Sequence, residues 1–305
     1  MKIGVIGIGN ICQKAYLPIM NNMREQVEWH FYSRQTDKIN LLAHQFGWEH
    51  YHDDWEAFLN SGIEACFIHT PTPTHAHLIE LFLNKGIHVF VDKPVSEDSE
   101  EVTSLHKLAS EKGLILMTGF NRRFAPLNQT LKALPHKRQI IAQKNRMHPK
   151  QLVKFHLFDM MIHMVDTTLY LLDDDIINVD YRVKALPDGK LQRAMIIFET
   201  VTTTAVVSIN MEAGAHTETL EVQTIEGTYT VDNLVALTKN EKGCITQVGF
   251  GDWESTLVKR GFNGLIMAFL EAVESKRESA VATSQSSIAS HYYVNELSKV
   301  YELSN

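Results

Sequence analysis

Residues 2–12 read KIGVIGIGNIC. The first five or six are nearly all apolar and do not alternate with polar residues, as expected of a strand covered on both faces. A glycine-punctuated turn follows, and the segment from about 11 to 22 has a helical pattern. In a GxGxxG turn the first glycine permits a tight bend and the second lets a pyrophosphate approach the backbone. The third lets helix and strand pack closely. Gly7 and Gly9 hold the first two places, and Cys12, still small, holds the third. An anion here would meet the amides of Asn10 and Ile11 and the positive end of the helix dipole.

Two glycines in a turn arise often by chance, so the surroundings decide. Further apolar runs lie at 27–33, 64–70, 87–92 and 114–120. Helical segments near 37–46, 54–60, 75–85 and 98–112 alternate with them, and the last carries acids in its first turn, where the macrodipole favours them. Strand–helix alternation of this kind predicts an α/β fold, a doubly wound parallel sheet of Rossmann type over residues 1–120. The ribose of a dinucleotide should then meet the end of the second strand, FYSRQT (31–36). No acid stands there to receive the ribose hydroxyls. Ser33 and Arg34 suit a 2′-phosphate instead, so NADP is expected over NAD.

Beyond residue 121 the rhythm changes. One helical pattern covers about 156–172, and the stretches 201–210, 217–225 and 227–233 alternate apolar and polar residues, as antiparallel strands wet on one face do. Helical segments at about 263–275 and 284–303 follow. The expected second domain, 121–305, is α+β with an open, mainly antiparallel sheet. An open apolar sheet face needs covering, which predicts a homodimer or larger assembly. Whether the last helix packs back on the first domain is left open by the sequence.

Composition narrows the partners. The 305 residues are 44% hydrophobic and 21% charged, with a net charge of −7. That balance fits a globular protein and argues against nucleic acid or an anionic membrane as the main partner. No run of about 18 apolar residues occurs. Three scattered cysteines, and a start without the pattern of a signal peptide, point to a reducing, cytoplasmic setting.

Two places carry chemistry. HVFVDKPVS (88–96) ends the fourth strand with Asp92 and Lys93 where ligands of such sheets bind, and a lysine there can stabilise charge on a substrate oxygen. LFDMMIHMVD (157–166) sets Asp159, His163 and Asp166 at i, i+4 and i+7, with Tyr170 at i+11, on a narrow polar stripe of an otherwise apolar helix. A stripe so narrow fits a cavity better than open water. His75 and His77 could suggest a metal, but further ligands would be needed and the glycine turn would go unexplained, so no metal is expected. HKRQ (136–139) and the acids Asp173–Asp175 read as solvent-facing.

The ordered set GIGNIC, TPTPTHAHLI, NKGIHVFVDKP, GFNRRF and DMMIHMVD resembles the Gfo/Idh/MocA family of NAD(P)-dependent oxidoreductases over essentially the whole chain. It is most similar to the MviM-like branch. The resemblance implies that Lys93 touches both the substrate oxygen and the nicotinamide side, accompanied by Asp159 and His163. It implies that Thr70, Pro71, Thr72 and His75 pack along the dinucleotide, and that Asn121 and Arg122 lie beside the nicotinamide where the domains join. Asp92 stands where the family usually has glutamate, and HLF (156–158) replaces a glycine pair. The implied substrate is a sugar, polyol or cyclitol oxidised at a CH–OH group. The rival is a dinucleotide-binding sensor without turnover, which would not require Lys93, Asp159 and His163.

Overall fold

The structure, a computed structural model, describes residues 1–149 and 151–303; Lys150 and the last two residues of the expected second domain lie outside them. The chain forms two compact units. The first comprises Met1–Gly119 and Leu265–Ser284, and the second comprises Phe120–Gly264 and the chain from Gln285 on.

The first unit holds β1 (Lys2–Ile6), β2 (Glu28–Tyr32), β3 (His50–His52), β4 (Ala65–Ile68), β5 (His88–Val91) and β6 (Leu116–Thr118). All pairs are parallel, and the order is β3-β2-β1-β4-β5-β6. The order reverses between β1 and β4, and the crevice outside their carboxyl ends is where such sheets bind ligands. Hydrophobic pattern missed β3, because three residues reading His–Tyr–His carry no apolar run; only its ladder with β2 makes it a strand. The connecting helices are α1 (Leu17–Asn22), α2 (Thr36–Phe46), α3 (Trp55–Leu59), α4 (His75–Asn84) and α5 (Ser99–Glu111). The Asp98 carboxylate caps α5 by accepting from the Glu100 amide, satisfying one orphan donor. The later helix Phe262–Ser275 adds Phe269 to this core, edge-on to Phe67 at 5.0 Å and to Phe90 at 5.5 Å.

The second unit holds β7 (Lys137–Asn145), β8 (Ile176–Ala185), β9 (Leu191–Thr200), β10 (Thr204–Asn210), β11 (Thr217–Thr224), β12 (Gly227–Asp232), β13 (Ala236–Glu241) and β14 (Cys244–Val248). They form one sheet in the order β14-β13-β12-β11-β7-β10-β9-β8. The β7–β10 pair is parallel and the other neighbours are antiparallel. β14 is exposed throughout, while inward residues of the other strands, such as Ile140, Ile196, Val207 and Leu220, form a core with Met161, Met164 and Val165. Val294 and Leu297 of the last helix, Ser284–Leu303, join that core. By contacts the last helix falls in the second unit, and most of Phe262–Ser275 in the first.

Two local readings need correction. The pattern at 156–172 is wound in pieces: α6 (Val153–His156), a π-helical turn Leu157–Met161, and α7 (Ile162–Leu171). Uniform helical spacing therefore fails at Asp159. Lys137, expected to face solvent, is buried, and its amine donates to Asp173 at 2.7 Å and to the Lys132 carbonyl at 3.0 Å. Asp173, exposed with Asp174 and Asp175 as expected, also accepts from Lys132 at 2.8 Å and so anchors two lysines.

Candidate active site

The turn after β1 is built around Gly7, whose φ is +79°. A Cβ there would stand 2.3 Å from the Thr70 amide nitrogen and 2.4 Å from the His69 carbonyl carbon, so only glycine lets β1 and β4 meet this closely. Gly9 differs. A Cβ there would come no nearer than 3.8 Å to the Gly7 carbonyl, so the space beside it is open. The helix then starts at Asn10, and Gln13 donates to the Gly9 carbonyl at 3.0 Å. Cys12 is fully buried, which allows the close packing expected of the third position; burial, followed by the nearby Asp92, pushes its thiol well up.

These residues open onto a cleft of about 1010 Å³. Gly7, Gly9, Asn10, Ile11, Ser33, Arg34, Thr70 and Pro71 all line it. The Ser33 hydroxyl accepts from the Gln35 amide at 3.1 Å, shaping the turn that presents Arg34. Lys38, one helical turn beyond Arg34, also lines the cleft and was passed over in the sequence, as were Tyr32 and Trp55. A cation four residues after Arg34 on a helix face was the available signal.

Thr72 and His75 are not on the cleft wall. Thr72 sits in the short 3-10 turn Thr72–Thr74 that leads into α4. His75 is buried, its ring nitrogens 2.8 Å from the Pro94 carbonyl and 2.7 Å from the Thr70 carbonyl. Burial pulls its pKa down, against the two carbonyls. This ring ties two loops together and has no nitrogen to spare for a metal.

Asp92 and Lys93 follow β5, and the Lys93–Pro94 peptide is cis. Asp92 is gripped from two sides: the Tyr16 hydroxyl donates to one carboxylate oxygen at 2.6 Å, and His69 Nδ1 lies 2.7 Å from the other. Burial pushes the carboxyl up, but His69, its hydrogen bond and that of Tyr16, and the charge of Lys93 outweigh it and hold the pKa below the usual range. His69 also lines the cleft, and its Nε2 is buried with no hydrogen-bond partner among the described residues. A buried polar atom left unpaired is costly, so a ligand donor or acceptor at that end of the cleft would be well received. His69 ends the run EACFIHT at the switch point, and that position was the missed signal. Lys93 itself is half-buried.

In the second unit the polar stripe divides. Asp159, in the π-helical turn, and His163, in α7, are half-buried among buried apolar neighbours. The Asp159 carboxylate raises the pKa of nearby His156, although burial of that ring is the larger effect and lowers it. Asp166 is fully committed elsewhere. Its carboxylate accepts from Arg123 Nε at 2.9 Å and Nη2 at 2.8 Å, and from the Ser290 hydroxyl at 2.9 Å. Tyr170 packs under the Arg123 guanidinium, 5.4 Å from its ring centre. Asp166 and Tyr170 are therefore fastenings.

Arg122 and Asn121 are likewise held within this unit. Arg122 donates to Glu218 from Nε at 2.6 Å and from Nη2 at 2.8 Å, and Asn121 Nδ2 donates to the Arg260 carbonyl at 2.7 Å. Lys144 completes the cluster by donating to Glu218 at 2.8 Å.

The cleft, the open space at Gly9 and the unpaired His69 nitrogen fit a dinucleotide. Comparison with known proteins agrees. The family model described as "Oxidoreductase family, NAD-binding Rossmann fold" matches residues 1–120, and "YceM-like, C-terminal domain" matches residues 126–242. YceM of Salmonella typhimurium is 31% identical over 293 residues, covering 95% of this chain and 94% of that one. Inositol 2-dehydrogenase of Rhizobium meliloti is 28% identical over 239 residues, 72% of each chain. The solved structure of the dehydrogenase MviM from Clostridium difficile superposes with a TM-score of 0.91 at 25% identity, covering 98% of this chain and 99% of that one. On the identity with YceM over nearly the whole of both chains, the chain belongs to the Gfo/Idh/MocA family of NAD(P)-dependent oxidoreductases.

Proposed function

We propose that the chain moves a hydride between NADP, in preference to NAD, and a CH–OH carbon of a sugar, polyol or cyclitol. The observation that carries this reading is the pair Asp159 and His163, half-buried four residues apart in a helical stretch where Asp166 and Tyr170 are held by Arg123. The Rhizobium relative, by its name, acts on an inositol.

The dinucleotide supplies the hydride acceptor, and the protein supplies placement and charge. Gly7, Gly9, Asn10 and Ile11 receive the pyrophosphate, and Ser33, Arg34 and Lys38 receive the 2′-phosphate. Lys93 donates a hydrogen bond to the substrate oxygen and stabilises the charge that develops there. His163 takes the hydroxyl proton at a ring nitrogen and returns it in the reverse direction. Asp159 fixes the tautomer of His163 and favours the imidazolium that forms.

Nicotinamide absorbance across a panel of sugars, polyols and cyclitols tests this. At least one should be oxidised, with NADP used better than NAD. A charged hydrogen bond to a phosphate contributes about 1.5–3 kcal/mol, so Arg34→Ala should weaken NADP use by about tenfold or more and leave NAD use nearly unchanged. Tight cofactor binding with no oxidation of any compound would favour the sensor instead.

Two further readings belong here. The outward face of the second unit's sheet carries Ile141, Val206 and Ile197 side by side on β7, β10 and β9, all half-exposed. We assign that face to a second copy of the chain. Sedimentation equilibrium should give the mass of two chains or more, and a clean monomer would contradict it. Among the described residues no helix is long and apolar enough to cross a membrane. The three cysteines are unpaired thiols, two of them buried, as suits a protein of the reducing cytoplasm.

A further inference from the structure

A second cluster of chemistry-bearing side chains lies in the first unit, at the sheet edge. EWHFY (28–32) forms β2, and EHYHDD (49–54) contains β3. Successive side chains of a strand point to opposite faces, so Glu28 shares a face with His30, and His50 with His52. The register sets His30 beside His50 and Tyr32 beside His52. Three imidazoles thereby stack on one face: the His30 ring lies 4.7 Å from that of His50 at 7°, and 5.4 Å from that of His52 at 10°. Glu28 reaches into the stack. Its Oε1 is 2.8 Å from His30 Nε2 and 3.7 Å from His50 Nε2.

We propose that Glu28, His30 and His50 bind a zinc ion that fastens the edge strand β3 to β2. One donor atom from each residue already lies within 4.8 Å of the others. Ligands of a tetrahedral zinc with bonds of about 2.0–2.1 Å stand roughly 3.3 Å apart, so the donors need to move only a little. Two imidazoles and one carboxylate are a known zinc ligand set, with a water in the fourth, open position. Parallel rings do not aim their lone pairs at one point, so the His50 ring must turn, and with 42% of its side chain exposed it has room to do so. His52 supplies the outer support such sites need. Its Nε2 lies 3.1 Å from His30 Nδ1, where it can accept the ring N–H and leave Nε2 of His30 for the metal. A cation already sits against the carboxylate: Lys2 Nζ is 3.2 Å from Glu28 Oε1. Zinc would displace that exposed ammonium.

The cluster begins at Glu28, the amino end of β2, whereas the cleft opens beyond the carboxyl end at Ser33. The ion therefore takes no part in hydride transfer. A three-residue edge strand has little ladder of its own, which is what a metal staple would remedy.

The test is equilibrium dialysis of the untagged, chelator-treated chain against zinc chloride, with cobalt absorption reporting the coordination. The chain should retain one zinc per molecule, and cobalt should give the visible bands of a tetrahedral site. His50→Ala and Glu28→Gln, both at half-exposed positions, should weaken binding by at least about tenfold. Lys2→Met, which removes the competing cation, should tighten it several-fold, a gain that misfolding cannot imitate. No retained zinc in the native chain, or unchanged binding in both His50→Ala and Glu28→Gln, would overturn the proposal.

Discussion

Lys93→Met is expected to lower kcat/KM by about 10³-fold while the Kd for NADP changes less than about threefold. Methionine keeps the length and apolar stem of lysine and removes only the charge and its donors. The half-buried stem continues to pack, and Asp92 keeps its grip through Tyr16 and His69, neither of which needs the lysine. The residues proposed for the pyrophosphate and 2′-phosphate, Gly7, Gly9, Ser33 and Arg34, line the cleft and lie on other loops than Lys93. Steady-state rates with the best substrate of the panel, alongside cofactor binding followed by fluorescence, separate the two effects. If both activity and affinity vanish together, the lysine holds the fold and the catalytic assignment fails.

The second large effect concerns stability. Glu218 is buried with Arg122 and Lys144 both donating to it. Burial alone would push its carboxyl up, but the charge and hydrogen bonds of Arg122, followed by those of Lys144, outweigh it and hold the pKa far below the usual range. Lys144 is pulled down to about 7, by burial first and then by Arg122, with Glu218 opposing. Glu218→Gln keeps the shape and leaves two buried bases without a counter-charge. Breaking a buried pair in this way costs about 3–5 kcal/mol, read as a lower urea midpoint at neutral pH. The sign with pH follows from the depressed carboxyl. Its contribution is fully present above the unfolded value of about 4.3 and is lost as pH falls toward the folded one. The gap between native chain and variant should therefore narrow below about pH 4. A loss under about 1 kcal/mol at pH 7 would mean that the cluster adds nothing to stability.

Much of the first unit was legible because its signals are local. Apolar runs of strand length, glycines at turns and acids at a helix start each act within a few residues, and they located β1, β2, β4, β5 and β6 with their helices. The strand β3 escaped because its only reason to be a strand is the ladder to β2. In the second unit the alternating strands β10 to β12 were readable, while β8 and β9 emerged only with the sheet that pairs them.

The site divides in the same way. The identity and spacing of Lys93, Asp159 and His163 were plain, and so was the glycine turn after β1. What the spacing could not tell was that Asp166, seven residues from Asp159 on the same stripe, is a fastening and not a reactive group. Its partner Arg123 is 43 residues away in the chain, and Glu218 is 96 residues from Arg122. The sequence by itself determined which backbone forms and which chemistry is available, since both depend on neighbours along the chain. Only the tertiary structure decided which charges are spent on one another, because a buried ion finds its counter-ion through space and not through sequence.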